Sequence, residues 1–182
     1  HRQTQLFSAT YSDDIRRLAA RWTLNPVEIE IEPEQVAVDS VDQKVFLTSE
    51  DEKYRVLYNL IHYYKIERVL IFANRRDQCR DLESKLSRHG FKTRLLAGDV
   101  PQKKRIRTLE QFRNGEMEIL VATDVAGRGL HIDDISHVIN YNLPEDPEDY
   151  VHRIGRTGRA GSEGISITLA CESDSFMLPN IE

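Results

Sequence analysis

Short apolar runs alternate with amphipathic stretches along most of this chain. VLIFA at 69–73 and EILVAT at 118–123 are apolar almost throughout, as strands buried on both faces are. KVFLT at 44–48, TRLLA at 93–97, HVINY at 137–141 and ISITLA at 165–170 read as four further strands. Helical spacing fills the intervals. Val56, Leu57, Leu60, Ile61 and Tyr64 line one face of 52–64, and Cys79, Leu82 and Leu86 line Arg76 to Arg88, with Gly90 ending that helix. Pro101 opens a helix that reaches about Arg113 and turns Ile106, Leu109 and Phe112 inward. Asp146 caps a helix that begins at Pro147 and runs to Ile154, and Gly155 is expected to end it in the left-handed conformation. Repeated β–α–β units of this kind predict an α/β fold, an open parallel sheet with helices on both faces. Ligands of such sheets bind beyond the carboxyl ends of the strands.

The first forty residues follow another pattern. QTQLFSAT at 3–10 reads as a short strand, about 13–24 as a helix with Ile15, Leu18, Ala19 and Trp22 on one face, and VEIEI at 27–31 as a strand. EPEQVAVDSVDQ at 32–43 is acidic and lacks a helical period, and reads as a linker or a loosely held extended segment. The expected organisation is therefore 1–31 as the tail of a preceding domain, 32–43 as a linker and 44–182 as the main domain. The chain begins His1-Arg2, so a fragment of a longer protein is expected. Residues 1–31 carry Leu6, Phe7, Ile15, Leu18 and Trp22, and are expected to pack on a neighbour or be poorly ordered.

Composition narrows the function. Of 182 residues, 40% are hydrophobic and 30% charged, enough for a core with a solvated surface. The net charge of −5 counts against a nucleic-acid binder, but base is concentrated at 103–107, and a local patch binds phosphate on an acidic protein. Two cysteines far apart and six histidines without metal-ligand spacing give no zinc site and no disulfide, which fits a reducing, cytoplasmic setting. No apolar run of 18 residues predicts a membrane span.

The candidate chemistry centres on YVHRIGRTGRAG at 150–161, where Arg153, Arg156 and Arg159 recur every third residue among Gly155, Gly158 and Gly161. Guanidiniums held on a tight turn suit phosphate charge; a solvated basic turn is the plain alternative. LVATDVAGRGLHI at 120–132 delivers Thr123 and Asp124 to a strand end, before glycines that let backbone approach a phosphate or simply shape the turn. LAGDVPQKKR at 96–105 joins a Gly98-Asp99 turn to a helix N-terminus, a place for an anion unless Asp99 merely caps the helix. VLIFANRR at 69–76 offers Phe72, Asn74 and Arg75 beyond its core strand.

Together these strings resemble motifs of the DEAD-box RNA helicases: HRIGRTGR the sixth, ATDVAGRGLHI the fifth, VLIFANRR the fourth, GDVPQKKR the G-D-x-x-Q-x-x-R element, and Ser8-Ala9-Thr10 the third. The resemblance covers nearly the whole chain and implies the C-terminal RecA-like domain. It implies that Arg156 and Arg159 act as arginine fingers on ATP, that Gly129 and His131 lie near its ribose, and that Asn74, Gly98, Asp99, Gln102, Arg105 and Thr123 grip the RNA backbone. Ser8, Ala9 and Thr10 would couple hydrolysis to strand separation. His131 departs from the family's usual aspartate, which leaves its ribose contact open, and Gly127 replaces its usual alanine, which is expected to loosen the turn. No phosphate-loop signature and no D-E-A-D string occur, so magnesium for the ATP and half the cleft are expected from a first RecA-like domain outside this chain. The chain alone is then expected to lack ATPase activity. RNA, that first domain and a degradosome endoribonuclease are the implied partners; the alternative is a docking module for RNA or the ribonuclease without catalysis. The equivalent domain of a DNA helicase fits the pairing of SAT with HRIGRTGR less well.

Overall fold

A computed structural model describes residues 3–8, 13–29, 41–127, 132, 135–158, 163–174 and 176–180. Two compact units divide the chain, His1–Glu34 and Gln35–Glu182. In the first, α1 spans Asp13–Trp22, with acidic residues in its first turn and Arg21 in its last, as the helix dipole favours. It ends two residues short of the expected 24, where Thr23 turns its hydroxyl onto the Ala19 carbonyl at 2.6 Å. Residues 3–8 and 27–29 form no strand, contrary to their alternation. Phe7, Trp22 and Leu24 are exposed.

The second unit holds a six-stranded sheet: β1 (Val41–Leu47), β2 (Val69–Phe72), β3 (Thr93–Leu96), β4 (Ile119–Ala122), β5 (His137–Asn140) and β6 (Gly164–Ala170), in the order β1-β6-β5-β2-β4-β3. Every pairing is parallel. Alternate residues of β2 and β4 face opposite cores. Val69, Ile71, Ile119 and Val121 meet Leu57, Leu60 and Ile61 of α2 (Lys53–Tyr64) and Cys79, Leu82 and Leu86 of α3 (Arg76–Arg88). Leu70, Phe72, Leu120 and Ala122 meet Phe112 of α4 (Gln102–Arg113) on the other face. A four-residue turn of helix, α5 (Asp124–Gly127), follows β4, and α6 (Pro147–Ile154) precedes β6.

The sheet begins earlier than the acidic 32–43 stretch suggested, because Val41–Gln43 already pair with Gly164–Ser166. In α4, Ile106 is 49% exposed and Thr108 is buried instead. Six residues at 100° place Ile106 about 240° from Phe112, off the packed face. Asp146 does cap α6, accepting from the Glu148 amide at 2.9 Å. Gly155 is not left-handed: its φ is −65°, and amide bonds from Arg156 to Arg153 and from Thr157 to Ile154, each 3.1 Å, tighten the chain into a further turn. The left-handed residue is Gly158, at φ +69°.

His137 opens β5 between β2 and β6, with Nδ1 2.9 Å from the Ser136 hydroxyl and Nε2 buried without a hydrogen-bond partner. Burial, and then the nearby Lys44 charge, hold its imidazole below the usual histidine pKa. The folded state thus takes up this proton less readily than the unfolded chain. The stability His137 contributes is present above the unfolded value, about 6.5, and is lost as pH falls below it. The thermal midpoint of the chain should therefore fall from pH 7.5 to 5.5 by more in the parent than in His137→Leu. Equal drops in the two would remove His137 as a cause.

Candidate nucleotide and RNA site

Three parallel strands, β2, β4 and β5, deliver polar residues to their carboxyl ends: Asn74 after β2, Thr123 and Asp124 after β4, and Asn140 and Asn142 at the end of β5. Arg153 reaches this cluster from the inner face of α6 and is 1% exposed. Its Nε and one terminal nitrogen fork onto the Asp124 carboxylate at 2.5 and 2.7 Å. The same terminal nitrogen donates to Asn74 Oδ1 at 2.8 Å, and the other to the Asn142 carbonyl at 2.7 Å and Asn140 Oδ1 at 3.4 Å. All five N–H donors of the guanidinium are thus used. Its face lies over Phe72, 5.2 Å from the ring centroid. A buried charge without such pairing would cost several kcal/mol.

Gly127 fits against that same ring. A Cβ there would come within 3.0 Å of Phe72 Cζ, and closer still to Cε1. The glycine that was expected only to loosen the turn instead makes room for the aromatic plate beneath Arg153.

Arg156, on the turn after α6, donates through Nε to the His152 carbonyl at 3.0 Å. It lines a small cavity with Phe72, Asp124, Gly127, Asp149, His152 and Arg153. Arg153 is fully engaged, and Arg156 is the other described arginine of the motif that lines this cavity.

The other expected residues divide. Arg105 is half-buried and donates to the Ala126 carbonyl at 3.1 Å, tying α4 to α5. Gln102, Lys103, Lys104 and Arg107 are exposed, and Gly98 has open space around it. Asp99 does not cap α4; its carboxylate pairs with Arg80 of α3, nineteen residues earlier, and Pro101 stands at the N-cap position with no side-chain cap. Asn74 is engaged at both ends of its amide, Oδ1 with Arg153 and Nδ2 with the Leu143 carbonyl at 2.8 Å, so it does not simply project a donor. Thr123 is 6% exposed, and its carbonyl accepts from the Ala126 and Gly127 amides at 3.1 and 2.8 Å. Ser8 is exposed. Ala9, Thr10, Gly129, His131 and Arg159 lie outside the described residues.

Of the residues that organise the site, Arg153 and Asp124 stood in the candidate strings without a role, and Asn140 and Asn142 were not singled out. A signal existed: Arg153 shares the inner face of α6 with Tyr150 and Ile154, and Asn140 closes the buried run HVIN. A buried charge or amide there needs a partner. Cys79, at the edge of the cluster, is no nucleophile, since burial pushes its thiol up to about 11. Among the described residues no group of three or more His, Cys, Asp or Glu side chains could hold a metal ion, and no helix is long and apolar enough to cross a membrane.

Residues 52–161 match the helicase conserved C-terminal domain family. Along its length the chain is similar to the ATP-dependent RNA helicase RhlB of Pseudomonas putida, 61% identical over 181 residues, and to that of Shewanella baltica, 52% identical over 181 residues. It covers 100% of itself in both matches but spans only 46% and 41% of those proteins, less than half of each. Among solved structures, it is similar to S. cerevisiae Dbp5 bound to RNA and ADP BeF3, with a TM-score of 0.80 at 34% identity over 96% of this chain and 47% of that one. It is also similar to the E. coli DEAD-box protein SrmB bound to regulator of ribonuclease activity A, with a TM-score of 0.74 at 33% identity over 78% of this chain and 84% of that one.

Proposed function

This chain belongs to the helicase conserved C-terminal domain family, as the C-terminal RecA-like domain of a DEAD-box RNA helicase, and on that premise we propose that it supplies half of an RNA-stimulated ATPase site. Arg156 and Arg159 meet charge developing on the transferred phosphoryl group of ATP, and Gly129 and His131 lie beside the ribose. Backbone contacts to RNA come from Asn74, Gly98, Asp99, Gln102, Arg105 and Thr123. Ser8, Ala9 and Thr10 couple the two events. The phosphate loop and the residues for magnesium belong to a first RecA-like domain. The whole protein is then an ATP-dependent enzyme that separates short RNA duplexes, in the cytoplasm, as part of RNA degradation with an endoribonuclease partner.

The observation that carries this reading is the position of Arg156: it lines the cavity at the strand ends while Arg153 is spent on Asp124, Asn74 and Asn142. A fixed guanidinium there is preorganised for phosphoryl charge and needs no rearrangement when that charge forms. RNA contact through Asn74 would use its remaining amide proton, and through Thr123 a small opening of the α5 turn. A second reading, a docking module without catalysis, draws on the SrmB structure, in which a DEAD-box protein of similar fold is bound to a protein regulator.

ATP hydrolysis distinguishes the two. RNA-dependent turnover by the full-length protein, with none from this chain alone, is the expected result. No turnover by the full-length protein with RNA and magnesium present would leave the docking reading.

A further inference from the structure

Two residues to which the chemistry above gives no part anchor the turn that carries Arg156. Thr157 is 1% exposed, and its hydroxyl donates to the Ile135 carbonyl at 2.5 Å, with the Ser136 carbonyl 3.2 Å away. Both carbonyls lie just before β5. The next residue, Gly158, takes the left-handed conformation. The chain comes back to this place at Gly164, the first residue of β6, which pairs with Val41 of β1. The following amide, that of Ile165, donates to the Ser136 carbonyl at 3.2 Å. Strand and turn touch so closely that a Cβ on Gly164 would lie 2.7 Å from both Oγ1 and Cγ2 of Thr157, and closer still to the Gly158 backbone nitrogen. Neither neighbour can yield cheaply: one is backbone, and the other is a buried side chain whose hydroxyl is already committed.

Arg156 leaves the main chain one residue before Thr157, and its Nε donates to the His152 carbonyl. The Thr157 anchor and the Gly164 contact therefore fix where the guanidinium starts. A displacement of about 1 Å in a group that must meet a transition state can cost about 100-fold in rate.

We propose that Thr157 and Gly164 are positioning residues for Arg156, a clamp between the starts of β5 and β6 that aims its guanidinium at the transferred phosphoryl group. This rests on the arginine-finger reading of Arg156. The clamp acts on the transition state through Arg156, so it changes turnover and leaves the binding of ATP and RNA nearly alone.

The experiment is steady-state, RNA-stimulated ATP hydrolysis by the full-length protein carrying Gly164→Ala, Thr157→Val or Thr157→Ser, with Arg156→Ala and Arg156→Lys alongside. Gly164→Ala and Thr157→Val should lower kcat by about 10- to 100-fold, with KM for ATP and RNA affinity within about threefold of the parent. Thr157→Ser keeps the hydroxyl and should recover most of kcat. In the Arg156→Lys background Gly164→Ala should add little further loss, because the group it aims is already changed. The clamp is overturned if both Gly164→Ala and Thr157→Val keep kcat within twofold while Arg156→Ala abolishes turnover. It is also overturned if Gly164→Ala costs as much in the Arg156→Lys background as in the parent. Full turnover by Arg156→Ala would instead remove the finger reading, and the clamp with it. Should Gly164→Ala fail to fold, the comparison of Thr157→Val with Thr157→Ser decides alone.

Discussion

Replacing Arg156 by alanine in the full-length protein should lower RNA-stimulated ATP hydrolysis by about 1000-fold or more, with RNA affinity within about threefold of the parent. The expectation follows from where the side chain sits. Arg156 lines the cavity beside Asp124 and Gly127, and its Nε donates to the His152 carbonyl. On the proposed function, a guanidinium so placed has little to gain from ATP in the ground state, where groups of the first domain would meet its phosphate charge. Its gain comes as the phosphoryl group transfers, so kcat and kcat/KM should fall together. Arg156→Lys keeps the charge and loses the planar fork, and should recover only part of the rate. Hydrolysis retained in Arg156→Ala would remove the finger role.

The second large effect belongs to Arg153 and appears first in stability. Arg153→Ala leaves the Asp124 carboxylate, Asn74 Oδ1, Asn140 Oδ1 and the Asn142 carbonyl without their donor and empties the space over Phe72. Removing one partner of a buried pair costs about 3–5 kcal/mol, a large share of the roughly 5–15 kcal/mol that holds a domain together. The thermal midpoint of this chain should drop by about 10 °C, at the few degrees per kcal/mol usual for this size. Arg153→Lys cannot fork and should recover less than half of that loss. Because this one side chain ties together the polar residues at the carboxyl ends of β2, β4 and β5, activity in the full-length protein should fall with it. A midpoint within 2 °C of the parent, about 1 kcal/mol or less, would mean that the network contributes little.

Local physics made most of the second unit legible. VLIFA and EILVAT announced themselves because strands covered on both faces have no polar alternate positions. The caps at Asp146 and Gly90 follow from short-range stereochemistry, and both are present. What the sequence hid is non-local. Val41–Gln43 look like linker until Gly164–Ser166 lie beside them. Asp99 looks like a cap until Arg80 arrives from another helix. Gly155 looks like the helix terminator because glycine tolerates the left-handed region, but the chain delays that conformation to Gly158, where β6 comes back against the turn. At the site, the resemblance of HRIGRTGR set Arg156 and Arg159 apart as fingers but gave Arg153 no task. Arg153's task shows only in its burial at the strand ends, where it is bound to Asp124, Asn74 and Asn142. Gly127 was read as slack in a turn, and its purpose depends on Phe72, fifty-five positions earlier.

The central claim is that Arg156 meets phosphoryl charge, and binding of a transition-state mimic tests it most directly. With RNA and magnesium, the full-length parent should bind ADP–aluminium fluoride far more tightly than ADP. Arg156→Ala should lose about 100-fold or more of that preference, in the range by which such mimics outbind substrates, while its affinity for ADP stays within about threefold. An unchanged preference in Arg156→Ala would place the stabilising charge elsewhere and contradict the account.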